Sequence, residues 1–184
     1  MCLVVFVLVT ALLDRAGAFG YRGDDWARYE RKSVNVRQVL AGDQIIIIDE
    51  IGREDSVQLL GIDAADEGEH WFERSLAYTE ARIAGKAVML KLDTTQTRDD
   101  FGRLRAFVYL SANDNINLDL VRNGMAYADR RVMHMHRAEF EQLETAARQK
   151  GRGLWAEVRE EQMPAWRQAW LREHYRRRAE LRGR

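Results

Sequence analysis

The sequence predicts an α+β fold: a small closed five-stranded β-barrel with three helices packed outside it and a further amphipathic helix at the C-terminus. Three observations carry the prediction. Five short β-patterned segments are separated by turn residues. One helical segment follows the third of them and two follow the fifth. The 184 residues, 46% of them hydrophobic, are enough for one core with some chain left over.

Residues 19–33 are polar with aromatic punctuation (Phe19, Tyr21, Trp26, Tyr29), and are expected to be a loosely packed lead-in. From Val34 to Leu40 apolar and polar residues alternate, as in a half-buried strand. Ala41-Gly42-Asp43 reads as a tight turn. The second strand, Gln44 to Asp49, carries four consecutive isoleucines, whose β-branched side chains suit a pleated surface. A turn from Glu50 to Asp55 leads into a third strand, Ser56 to Ile62. Phe72, Leu76, Thr79 and Ile83 fall on one helical face within a helix expected over Glu69 to Ile83, which Gly85 ends. Lys86 to Leu92 and Arg105 to Leu110 are the fourth and fifth strands. Ile116 to Asn123 is a short helix stopped by Gly124, a residue at ease in the left-handed conformation of helix ends. Arg137 to Lys150 is a longer helix, with Phe140, Leu143 and Ala147 on one face. This order suits an OB-type barrel.

Composition limits function. Lys and Arg total 29 and so do Asp and Glu, giving zero formal net charge. Proteins that hold nucleic acid by non-specific phosphate contacts are usually basic overall, so affinity for a polyanion would need a local patch or a bound cation. The one cysteine, Cys2, opens an apolar run to Leu13 that is too short to cross a bilayer. Ala16-Gly17-Ala18 fits a small-residue cleavage site, so residues 1–18 are expected to be a secretory signal peptide, although no Lys or Arg precedes the apolar run. A buried N-terminal element is the alternative. Removal would leave a secreted or periplasmic chain with no stable membrane span, disulfide or thiolate metal site. Residues 159–184 are rich in tryptophan and arginine. Met163, Trp166 and Trp170 share a helical face, and Arg172, Arg176, Arg177, Arg178, Arg182 and Arg184 crowd the end. The tail either packs its tryptophans on the barrel and solvates its arginines or contacts an anionic surface.

Five short motifs recur in one order. They are Gly42-Asp43, Leu59-Leu60-Gly61-Ile62-Asp63, Asp99-Asp100-Phe101-Gly102-Arg103, Asn117-Leu118-Asp119-Leu120-Val121-Arg122-Asn123-Gly124-Met125-Ala126, and Gly151-Arg152-Gly153-Leu154-Trp155. In these motifs the chain resembles the staphylococcal nuclease (thermonuclease-like) family over residues 34–158. The resemblance implies an OB-like barrel and Ca²⁺-dependent hydrolysis of phosphodiester bonds in DNA or RNA, single-stranded nucleic acid being the expected partner. It also assigns Asp43, Asp63 and the Ala64 carbonyl to the calcium, a set of hard oxygen donors such as that ion prefers.

The same resemblance exposes two departures. The family's general base is a glutamate three residues beyond the second aspartate. Here Asp66 holds that place, one methylene shorter, with Glu67 beside it as the alternative base. A general base must reach hydrogen-bond distance of the proton it takes. The family sets two arginines on the phosphate. Arg103 matches one, and Gln58 stands where the other would be. Glutamine offers neither the charge nor the fork of a guanidinium, and one arginine in such a role is worth about 10³–10⁵ in rate. Arg53 and Arg105 are the remaining guanidiniums near these motifs. Phe101 would stack on a base or sugar. The expectation is an impaired nuclease, or a binding module of the same fold that no longer cuts. His134 and His136 lie two apart, a spacing that splays them on a helix and argues against joint metal ligation.

Overall fold

The computed structural model describes residues 25–182, and the expected signal segment lies outside them. The barrel is built from β1 (Ser33–Ala41), β2 (Gln44–Ile48), β3 (Glu54–Leu59), β5 (Ala87–Leu92) and β6 (Leu104–Ser111). The antiparallel order is β3-β2-β1-β5-β6, and a parallel pairing of β3 with β6 closes the circle. Alternation decides which side chains fill it. In β2, Ile45 and Ile47 are fully buried while Gln44, Ile46 and Ile48 are partly exposed. Leu59, Leu90, Leu104, Ala106 and Val108 complete the interior. Burial of this kind contributes roughly 1.5–3 kcal/mol per large aliphatic side chain.

Helices α2 (Phe72–Ile83), α3 (Ile116–Arg122) and α4 (Arg137–Gln149) accompany the barrel. Asn115 caps α3, its side-chain oxygen accepting from the Leu118 N–H at 3.1 Å. The buried Asn117 side chain fastens α3 to the barrel. Its oxygen accepts from Val108 N–H, and its amide donates to the Leu60 and Ala106 carbonyls. One residue of the asparagine motif therefore acts as a backbone staple.

Three expectations need correction. The lead-in is not loose over its described part: Asp25–Tyr29 forms a short helix, α1, with both end residues buried. Asp25 pairs there with Arg98, which also binds Asp55, so the buried arginine ties α1, β3 and the approach to β6 together. The third strand stops at Leu59. Gly61 turns the chain with φ 78°, and a Cβ there would lie 2.4 Å from His134 Nε2. Ile62–Asp63 is instead a separate short strand, β4, paired with β8 (Tyr127–Ala128). The helix expected from Glu69 begins at Phe72, because Trp71 takes a left-handed φ of 81°. Asp114–Asn115 adds an edge pair, β7.

The tail is helical over Ala165–Arg182, here α5, preceded by single 3₁₀ turns at Gly153–Ala156 and Glu160–Gln162. Its inward residues are Arg167 and Leu171, with Met163 outside the helix. Arg167 is fully buried, donates to Glu144 Oε2 at 2.7 Å, and sits among Tyr127, Trp155, Trp166 and Trp170. No helix among the described residues is long and apolar enough to cross a membrane.

Candidate active site

A cleft of about 490 Å³ opens at one end of the barrel. Asp43, Gln58, Asp63, Ala64, Asp66, Phe101 and Arg103 all line it, together with Asp99, Arg105, Asp129 and Arg131. Glu67 and Arg53 are not among its lining residues. His134 and His136 pack against the rings of Phe107 and Phe140. Burial lowers the His134 pKa to about 4, so it serves the core as a neutral ring.

Strand register explains how remote residues meet. Gln44 faces Gln58 across β2 and β3, and Gln58 faces Arg105 across β3 and β6. Asp43 precedes Gln44, so it lies beside Gln58, whose Nε2 donates to Asp43 Oδ2 at 2.8 Å. The same oxygen accepts from Ala64 N–H at 3.1 Å. Gly42 permits the close packing of this turn, since a Cβ there would overlap the Ser75 hydroxyl. Asp63 faces Tyr127 across β4 and β8, and the Asp129 N–H donates to the Gly61 carbonyl at 2.9 Å. That short pairing brings Asp129 and Arg131 beside Asp63.

The carboxylates differ. Asp43 is buried, and its Oδ1 has no hydrogen-bond partner among the described residues. Burial, with a contribution from the charge of Asp63, pushes its pKa up to about 7, against the pull of the Ala64 N–H and Gln58. Asp63 is also raised by burial, with Trp166 and Arg131 pulling the other way. Its Oδ2 accepts from Trp166 Nε1 at 2.8 Å and its Oδ1 from Arg131 Nη2 at 2.7 Å. Each Asp63 oxygen still has a second lone pair, whereas Asp43 Oδ2 already accepts twice.

Among the described residues no three His, Cys, Asp or Glu side chains converge as a ready metal cage. The donors nevertheless fit a hard divalent cation. They are oxygens only, and one is a buried carboxylate oxygen without a partner. Waters and substrate would have to complete the shell.

Arg103 is held by the turn that precedes β6. Asp99 Oδ1 accepts from the N–H groups of Phe101 and Arg103, and Gly102 takes a φ of 78°. Asp99 Oδ2 then accepts from Arg103 Nε at 2.7 Å, and the guanidinium lies over the exposed Phe101 ring. Asp66 is exposed at the rim, its N–H donating to Glu69 Oε2. Arg105 is tied to Asp93 and Gln96. The sequence reading did not place Asp129, Arg131 or Trp166 here. Asp63 and Arg131 are 68 positions apart, joined by a two-residue bridge with no readable period.

A family model described as Staphylococcal nuclease homologue matches residues 56–157. An uncharacterized endonuclease of Escherichia coli is 30% identical over 133 residues, 71% of this chain and 80% of the relative. One from Haemophilus influenzae is 28% identical over 138 residues, 75% of this chain and 74% of the relative. A thermonuclease of Staphylococcus intermedius is 25% identical over 162 residues, 84% of this chain and 93% of the relative. With the closed five-stranded barrel, these matches establish that the chain belongs to the staphylococcal nuclease family.

Proposed function

We propose that this protein is an exported, Ca²⁺-dependent phosphodiesterase that hydrolyses single-stranded DNA or RNA slowly. The supporting observation is that Asp43, Asp63, Asp66 and Arg103, from three separate segments, share one open cleft. The relatives' descriptions as a thermonuclease and as endonucleases favour a nucleic-acid substrate. The apolar run from Cys2 to Leu13 and the Ala16-Gly17-Ala18 site favour export.

Asp43, Asp63 and the Ala64 carbonyl are the residues that would hold calcium, which when bound offsets phosphate charge and polarises the phosphorus–oxygen bonds. Asp66 takes a proton from water as the water oxygen adds to phosphorus. The opposite phosphorus–oxygen ester bond breaks, and its oxygen leaves with a proton from solvent. Asp66 is favoured over Glu67 as the base because it lines the cleft. Arg103 donates to the non-bridging oxygens as negative charge grows on them. Turnover is slow because Asp66 falls short of the reach of a glutamate and Gln58 contributes no charge. A second reading, binding without cutting, is favoured by the Gln58 side chain, whose amide is spent on Asp43.

The discriminating experiment compares wild type with the Gln58→Arg, Asp66→Glu double variant on single-stranded DNA, with Ca²⁺ and with chelator. The enzyme reading expects Ca²⁺-dependent cleavage by wild type and a gain of about 100-fold or more in the double variant. Cleavage by the double variant alone would establish the binding module. Binding by both without cleavage by either would remove the catalytic reading.

A further inference from the structure

The cleft has lost one guanidinium at Gln58, but it holds another that the family match does not single out. Arg131 follows β8 and is half exposed in the cleft. Its Nε donates to Asp129 Oδ1 and its Nη2 to Asp129 Oδ2, both at 2.9 Å. Nη2 also reaches Asp63 Oδ1. Nη1 carries no hydrogen bond among the described residues. The guanidinium carbon sits 4.7 Å from the centre of the Trp166 ring.

Arg103 is built to the same plan. An aspartate, Asp99, holds its Nε at 2.7 Å, and an aromatic ring, Phe101, lies beneath the guanidinium at 5.1 Å. Both arginines are therefore fixed at the Nε edge while keeping donors for a ligand, so little rotamer entropy is left to lose on binding. Arg105 is different. Its Nη2 is on Asp93, its Nη1 is on Gln96, and its side chain is only 16% exposed. Burial works against the charge on Arg131, but the hydrogen bonds it donates to Asp129 and the negative charge of nearby Asp63 outweigh it and leave its pKa raised. The position of Trp166 is not incidental, because the next residue is the buried Arg167 that anchors α5 on Glu144.

We propose that Arg131 is the second phosphate-binding guanidinium of this cleft, acting in place of the arginine that Gln58 replaces. The assignment rests on the nuclease reading above. The substrate phosphate then lies between two aspartate-braced arginines, one from the turn before β6 and one from the segment after β8. Phosphate binding then does not require the family's strand-borne arginine, whose loss is felt in turnover.

The test is fluorescence anisotropy of a labelled single-stranded phosphorothioate oligonucleotide in Ca²⁺ buffer over a range of salt. Wild type, Arg131→Ala, Arg131→Lys, Arg103→Ala, Gln58→Arg and the Gln58→Arg, Arg131→Ala pair are compared. Arg131→Ala should weaken binding about 10-fold or more. It should also reduce the slope of log affinity against log salt by about 0.7, one single-strand phosphate contact. Arg131→Lys should keep the slope and lose several-fold in affinity, because it keeps the charge without the fork. Gln58→Arg should rescue the Arg131→Ala protein more than it improves wild type. Wild-type affinity and slope in Arg131→Ala, beside a loss in Arg103→Ala, would overturn this assignment and leave the nuclease reading standing. No binding by wild type would remove both. If Arg131→Ala lacks a cooperative melt, Arg131→Lys decides, and unchanged affinity there overturns the forked contact.

Discussion

Asp43 concentrates the electrostatics of the cleft in one side chain. Its ordinary pKa of 3.8 becomes about 7 in the folded protein, first through burial and then through Asp63. Between those values the folded chain holds a proton that the unfolded chain has released. The contribution of Asp43 to stability is therefore complete below about pH 4 and is lost as pH rises through 7, on the order of 4 kcal/mol at most. In calcium-free buffer the melting temperature of wild type should fall between pH 5 and pH 8, and Asp43→Asn should flatten much of that fall. Parallel curves for the two proteins would show that the buried carboxyl is not the source. A bound divalent charge would offset the cost of ionising Asp43.

At the scale of elements, the docking of α5 depends on one buried ion pair. Arg167 and Glu144 are 0% and 1% exposed, and Glu144 also receives Arg130 and the Ala128 N–H. Removing the guanidinium leaves buried Glu144 with only Arg130 and the Ala128 N–H, and breaking such a pair costs up to about 3–5 kcal/mol. Arg167→Ala should lower the urea midpoint accordingly and speed proteolysis within 159–182, and equal midpoints would contradict the docking account. The inward arginine also marks a limit of sequence reading. The tail pattern assigned tryptophans to the barrel and arginines to water, yet Arg167 is inside because Glu144, 23 positions earlier, meets it there. β1 was legible because period-two alternation is written in its side chains, and β2 because its four isoleucines are β-branched. The β4–β8 bridge was not, because two residues a side carry no period.

At the scale of the whole molecule, a cleft is assembled at one end of a barrel from turns and short strands distant in the chain. The seven residues expected at the site were legible only through the resemblance, since an aspartate in a turn is by itself unremarkable. In the structure Gly102 and Asp99 supply a local reason for the placement of Arg103. Asp129, Arg131 and Trp166 left no local signal, because Trp166 reaches Asp63 across 103 positions and only the packed α5 brings them together. The outcome is a cleft that gathers Asp43, Asp63, Asp66 and Arg103, with Gln58 where the resemblance expects an arginine.

The most direct test of this account is the rate at which purified wild-type protein cleaves single-stranded DNA as Ca²⁺ is titrated, beside Asp43→Asn, Asp63→Asn and Arg103→Ala. The account predicts saturable Ca²⁺-dependent cleavage, abolished by chelator and reduced about 100-fold or more in each variant. Cleavage that ignores both chelator and the two aspartate substitutions would contradict it.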